Sequence, residues 1–164
     1  MRRFLVVFAV VVNLLLVDAV TKELAEARLM DAPVAVVDGY FDLAYVQNRG
    51  CAWGLFQGSV WPLAMFAAFA LVFLIWKRRA FFEMPKPPEG GRISWLDRLG
   101  AVAEPLLYAG ILGNLIDRVF RGYVIDFLDF HWRASHFPCF NVADVCITVA
   151  AGLLLVASFR TSGK

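Results

Sequence analysis

The stretch at 124–145, VIDFLDFHWRASHFPCFNVADV, sets three aspartates and an asparagine just before a long apolar run. Carboxylates beside hydrocarbon are expensive to keep. Asp126, Asp129 and Asp144 can be surface charges on a loop, caps for a helix, or the acids of a site. Which of these holds depends on the side of a membrane that the stretch occupies, and the chain around it decides that.

The 164 residues are 60% hydrophobic and only 18% charged, a departure from soluble averages in the membrane direction. Apolar runs at 4–20, 60–76, 99–117 and 143–159 each measure about 17 residues, or about 25 Å as helix against about 30 Å of hydrocarbon. Polar residues at their ends therefore belong at the boundary or just inside it. The expected architecture is an all-α membrane protein with four transmembrane helices in one domain spanning 1–164. Met1-Arg2-Arg3 followed by apolar residues has the outline of a secretory signal. The run closes in LLLVDAVTK without a small-residue cleavage site, so a retained first span is expected. A net charge of +2 on scattered carriers leaves no nucleic-acid footprint.

Lysine and arginine orient the spans. With four spans, ten basic residues fall on one side: Arg2, Arg3, Lys77, Arg78, Arg79, Lys86, Arg92, Arg98, Arg160 and Lys164. Six fall on the other: Lys22, Arg28, Arg49, Arg118, Arg121 and Arg133. Both termini and the 77–98 loop, with its mobile connector MPKPPEGG, are expected in the cytoplasm. Most acids lie on the opposite, outer side, whereas Glu104 reads as a helix-entry residue near the inner surface. Within the first outer loop, YFDLAYVQN at 40–48 alternates partially with period two and predicts a short strand or hairpin. NRGCAWG follows, with Gly50 inviting a turn.

Helix parity brings the unusual polar residues together at the outer face. Span one ends there with Asp18 and Lys22 at i, i+4, span three with Asn114, Asp117 and Arg118, and span four begins there with Asn141 and Asp144. Each group has a structural reading: a boundary ion pair, interfacial charge, and a capping box of Asn141 with Asp144. Their convergence, with Asn48 from the loop, points further. Two carboxylates held close in a partly dry site share one proton. The ionised member takes a proton from water while the protonated one hydrogen-bonds a scissile carbonyl, which is amide hydrolysis without a covalent adduct. Asp126 and Asp144 are joined by a hairpin and can face each other; Asp129 competes with Asp126 for that role.

Other chemistries fit less well. His131, His136 and Cys139 lack a metal-ligand spacing, and no metal is expected. Cys51, Cys139 and Cys146 form no Cys-x-x-Cys pair and read as small buried side chains rather than a bridge. The serines have no nucleophile motif, and phosphate-binding glycine loops are missing.

DAVTK, YVQNRGCAWG, GNLIDRVFRGYVIDFLDF and FNVAD, in this order and spacing, closely resemble the lipoprotein signal peptidases of bacteria, signal peptidase II. The four-span layout extends the resemblance over nearly the whole chain. It implies that Asp126 and Asp144 are catalytic, and that Asp18, Lys22, Asn48, Gly50, Asn114, Asp117, Arg118 and Asn141 shape and support the site. Asp129 matches no catalytic position, and Cys51 stands where the family more often has alanine.

The fold implied is four transmembrane helices with a small extracytoplasmic β-cradle and a short amphipathic helix. The implied enzyme is a cofactor-free aspartyl endopeptidase of the bacterial inner membrane, acting as a monomer among membrane lipids. Its substrate is a diacylglyceryl-modified prolipoprotein, cut just before the lipidated cysteine. A proton-relay or transporter subunit is the rival reading. A relay spaces its acids through the membrane depth, whereas these gather at one face.

Overall fold

The computed structural model describes residues 1–51, 55–83 and 95–159, apart from the Asp97 side chain. The MPKPPEGG connector and the basic residues Lys86, Arg92, Arg160 and Lys164 lie outside the described residues. Each apolar run forms a helix: α1 (Arg2–Leu29), α2 (Val60–Trp76), α4 (Trp95–Phe120) and α5 (Val142–Ser158), with a five-residue α3 (Arg78–Phe82) after α2. Pro62 falls in the first turn of α2, where its missing N–H has no helical partner to lose. Large apolar side chains, among them Phe4, Phe8, Leu16, Trp61, Phe66, Phe69 and Trp76, stay more than half exposed. A surface this apolar is solvated by lipid rather than water. α1 and residues 98–120 of α4 are long and apolar enough to cross a membrane; α2 and α5 are apolar helices of 17 residues each.

An all-α description does not hold. Strands β1 (Val34–Val37), β2 (Phe41–Asn48), β3 (Val124–Trp132) and β4 (Ser135–His136) form an antiparallel sheet in the order β1-β2-β3-β4. The hairpin expected around 40–48 is β1–β2. The segment carrying Asp126, expected as a helix-to-helix connection, is instead the longest strand. Its partner β2 sets Val46 opposite Asp126 and Asn48 opposite Val124, after an irregularity between Leu43 and Val46. Among the described residues the short helix is α3, at the end of the bundle opposite the sheet; the loop between β2 and α2 forms turns at 55–58.

α1 runs nine residues past its expected end, from 20 to 29, because its last turns have a second task. Ala25 and Leu29 are buried against Ile125 and Phe127, so the helix leaves the apolar layer and backs the sheet. Lower down, Val11, Phe82, Tyr108 and Ala109 form the helical core. The helices meet closely at Gly113. A Cβ there would lie 2.6 Å from Asp18 Oδ2 and 3.2 Å from Ala143 Cβ, so only glycine lets α1, α4 and α5 converge.

At the far end Glu104 is fully buried and more than a helix-entry residue. Arg3 Nη2 donates to Glu104 Oε2 at 2.9 Å, and the Arg78 guanidinium pairs with the same carboxylate. Arg3 also donates to the Phe82 carbonyl at 2.5 Å, clamping the start of α1 to α3 and α4. Glu104→Gln removes the charge both arginines share. It is expected to cost about 2 kcal/mol, short of a fully buried pair because both guanidiniums reach solvent. Thermal unfolding in detergent micelles measures it.

Candidate functional site

The site begins with a buried ammonium. Lys22 is 1% exposed, and its Nζ donates to Asp18 Oδ2 at 2.7 Å and to Asn114 Oδ1 at 3.3 Å. It pairs with Asp117 Oδ2 at 2.9 Å. The i, i+4 spacing puts Asp18 and Lys22 on one face of α1, and that face turns inward. Both carboxylates bond further. Asp18 Oδ1 accepts from Ala143 N at 2.8 Å in the first turn of α5, and Asp117 Oδ2 accepts from Ile125 N at 3.3 Å in β3. One lysine and two aspartates thereby register α1, α4, α5 and β3 against one another, and leave no lone buried charge.

Two asparagines carry this register to Asp126 and Asp144. Asn114 Nδ2 donates to Asp144 Oδ1 at 2.7 Å, and Asn141 Nδ2 donates to Asp126 Oδ1 at 2.7 Å. Asn141 Nδ2 also donates to Asn114 Oδ1 at 3.2 Å, so the carboxamides link the two acids in a chain. The capping box read from the sequence is present: Asp144 N donates to Asn141 Oδ1 at 2.9 Å, and Asn141 N to Asp144 Oδ2 at 3.3 Å. It does not compete with the site reading, because the same two residues serve both. Asn48 Nδ2 donates to the other oxygen of Asp126 at 2.9 Å, while Asn48 Oδ1 accepts from Gly50 N at 2.9 Å. Arg118 Nη2 donates to the Gly50 carbonyl at 3.1 Å, tying this turn to α4. A Cβ on Gly50 would sit 2.5 Å from the Leu55 carbonyl oxygen. All ten residues singled out from the sequence are thus joined in one network.

Burial, and then the charge of Asp144, push Asp126 up to about 7, against hydrogen bonds from Asn48 and Asn141 and the Lys22 charge. A carboxyl so placed holds a proton near neutrality beside a second carboxylate, as general acid–base chemistry requires. Both acids open on a cavity of about 450 Å³. Its polar wall is Asn48, Cys51, Asn114 and Arg118, and its apolar wall combines Phe137, Pro138 and Phe140 with Val145, Thr148 and Val149 along α5. Cys139 also lines it, but burial, and then the Asp126 charge, push its thiol up to about 12, too high for a nucleophile. The described cysteines carry no disulfide.

Asp129 goes elsewhere: His136 Nδ1 lies 2.9 Å from its Oδ2. Residues three apart on a strand point to opposite faces, and Asp126 and Asp129 have different partners accordingly. That parity was available once 124–132 was read as a strand; reading it as a connection hid it. Also missed were Arg121, which pairs with Glu23, with Glu26 at 2.7 Å and with Asp117 at 3.2 Å, and the Tyr45–Glu26 hydrogen bond at 3.0 Å beneath the sheet. The i, i+4 spacing of Asp117 and Arg121 signals their pairing; the contacts of Arg121 with Glu23 and Glu26, and of Tyr45 with Glu26, join residues far apart in the chain and carry no such signal.

A family model described as signal peptidase (SPase) II matches residues 10–160. A lipoprotein signal peptidase of Syntrophotalea carbinolica is 37% identical over 98% of this chain and 94% of its own length. One from Symbiobacterium thermophilum is 38% identical over 85% of each chain. A solved bacterial membrane enzyme superposes with a TM-score of 0.76 at 27% identity, covering 96% of this chain and 90% of its own.

The raised Asp126 has a consequence for stability. Its ordinary value is 3.8 and its folded value about 7, so the folded protein binds the proton more tightly. The stabilisation this gives is complete below 3.8 and is lost as pH rises through 7. In detergent, the melting temperature of the wild type is expected to fall between pH 5 and 7 and then level off. The difference between wild type and Asp126→Asn, followed across that range, isolates the contribution.

Proposed function

The chain belongs to the signal peptidase II family, and on that footing we propose that it removes the signal peptide from diacylglyceryl-modified prolipoproteins by cutting just before the lipidated cysteine. Asp126 and Asp144 are its catalytic acids. The observation that carries this is the carboxamide-bridged pair itself: two carboxyl groups held by Asn114 and Asn141 at one cavity, one raised to about 7 by burial and its neighbour's charge.

In the resting pair Asp126 holds the proton. Asp144, in the first turn of α5, is the carboxylate, where a helix N-terminus favours negative charge. Asp144 takes a proton from water as its oxygen attacks the scissile carbonyl carbon, and Asp126 gives its proton to the carbonyl oxygen. The gem-diol forms without a covalent link to the enzyme. It collapses when Asp144 passes its proton to the amide nitrogen, the C–N bond breaks, and a gem-diol hydroxyl returns a proton to Asp126. The dyad ends as it began. Water and carboxyl protons are sufficient for this cycle, so no metal or organic cofactor is invoked.

The supporting residues act by position. Asn114 and Asn141 orient the acids; Asp18, Lys22 and Asp117 hold the helices that carry them; Arg118, Asn48 and Gly50 brace the turn that borders the cavity. We place the enzyme in the bacterial inner membrane as a single-domain monomer spanning it four times, with both termini cytoplasmic and the dyad at the outer face. This follows from the excess of basic residues at one end of the helices. A lipidated cysteine sits at that outer boundary, with its acyl chains still in lipid. The apolar wall along α5 suits a signal helix approaching from the membrane. The relay alternative lacks support: along α4 no acid falls between Glu104 and Asp117, which stand about 20 Å apart along the helix.

Asp126→Asn and Asp144→Asn should each lower kcat/KM on a lipidated precursor by at least about a thousandfold while the protein still melts cooperatively. Asp129→Asn should cost no more than about threefold. Normal turnover by either dyad variant removes the assignment. For the wild type, kcat/KM should fall tenfold per pH unit above about 7, where Asp126 loses its proton, and survive chelator treatment.

A further inference from the structure

A groove between α1 and α4 shares no lining residue with the dyad cavity. It holds about 490 Å³ between Val12, Leu15 and Leu16 of α1 and Ile116 and Phe120 of α4. Leu16, Ile116 and Phe120 are 58%, 44% and 82% exposed, so the groove opens sideways into the hydrocarbon that surrounds the helices. From Val12 to Glu23 it runs about 16 Å at the helical rise, which leaves a mean cross-section of about 30 Å². A helix with its side chains is at least about 10 Å across and fills about 80 Å². The groove therefore suits a hydrocarbon chain and is too narrow for a helix.

Beyond its apolar walls the groove ends at charged groups that do not balance. The Arg121 guanidinium serves three carboxylates, Glu23, Glu26 and Asp117, and Lys22 serves Asp18 and Asp117. Two cations thus face four acids. Three of those acids have further donors: Ala143 N for Asp18, Ile125 N for Asp117, and the Tyr45 and Tyr123 hydroxyls for Glu26. Glu23 has only its share of Arg121 among the described contacts, and its side chain is 64% exposed at the groove. Arg28 lies about 140° round α1 from Glu23 and cannot make up the deficit. An anionic headgroup at this position meets a net negative surface, whereas a cation completes it.

We propose that the α1–α4 groove binds a membrane phospholipid whose headgroup ends in a primary ammonium, of the ethanolamine class. One acyl chain lies along Val12, Leu16 and Ile116, the phosphate sits beside Arg121, and the ammonium donates to Glu23. A zwitterion laid against the Arg121–Glu23 pair meets a charge of opposite sign at each end. A choline headgroup has no N–H to donate, and a glycerol headgroup leaves the phosphate charge uncompensated. The bound lipid also covers the apolar side of Asp18, Lys22 and Asp117, which line the same groove. None of this depends on the peptidase reading, because the groove touches neither Asp126 nor Asp144.

The test uses full-length protein in mild detergent with an equimolar mixture of phosphatidylethanolamine, phosphatidylcholine and phosphatidylglycerol on identical acyl chains. Native mass spectrometry reads which lipid is retained. The wild type should hold the ethanolamine lipid over the glycerol lipid by about fivefold, the scale of one exposed charge pair. Glu23→Gln should bring that ratio to about twofold or less while total retention changes little. Ala19→Phe, which fills the groove, should lower retention of all three. An ethanolamine lipid with a photoreactive acyl chain should label residues 12–19 or 113–120 of the wild type, which needs no substitution and so decides even where Ala19→Phe fails to fold. Equal retention of the three lipids, or a preference that persists in Glu23→Gln, overturns the headgroup assignment. Labels confined to other helices overturn the groove. So does a photoreactive residue in place of Ala19 that cross-links a second copy of the chain or another protein instead of lipid.

Discussion

Lys22 carries an ammonium at 1% exposure, and that fact constrains everything around it. A buried cation must be neutralised and fully hydrogen-bonded, or the fold loses several kilocalories per mole. Asp18, Asp117 and Asn114 meet the demand, and each has further obligations to α5, β3 and Asp144. The charge cluster is thus less an ion pair than a jig. It fixes the distance between helices that share little polar surface elsewhere, and Lys22 stands two hydrogen bonds from Asp144 and three from Asp126, the proposed catalytic acids. Gly113 supports it sterically, since any side chain there would displace Asp18.

The bundle is clamped at both ends by different devices. Near the sheet, charges and carboxamides form a continuous network with directional geometry. At the opposite end, a single carboxylate, Glu104, gathers two arginines. Between them the helices are joined by apolar packing around Val11, Tyr108 and Ala109, which fixes spacing but little orientation. The first kind of end positions atoms to within a hydrogen-bond length, and a reaction needs that. The second needs only to hold.

The helices were legible because hydrocarbon imposes long apolar runs, and their boundaries differed mainly where a helix did something other than cross lipid. α1 overran its expected end because Ala25 and Leu29 back the sheet, a tertiary duty with no local signature. The strand at 124–132 was harder. VIDFLDFHW carries buried residues on both faces for its first four positions, so the alternation that marks a half-buried strand is blurred. The site was legible as a set of residues because parity gathers helix ends regardless of detail, and because their motifs resemble a known family. Its wiring was not. That Asn114 reaches Asp144 and Asn141 reaches Asp126, rather than each serving its own neighbour, depends on how α4 and α5 cross. Glu104 stayed opaque because its partners lie 101 and 26 residues away in the chain.

Asn141 ends β3's return and begins α5, and its side chain caps the helix while it grips Asp126. Asp144 completes that cap. The first turn of α5 and the proposed reactive centre are therefore one object, and unwinding the turn by a few residues dismantles both. The start of the last helix and the placement of the two acids rest on the same hydrogen bonds.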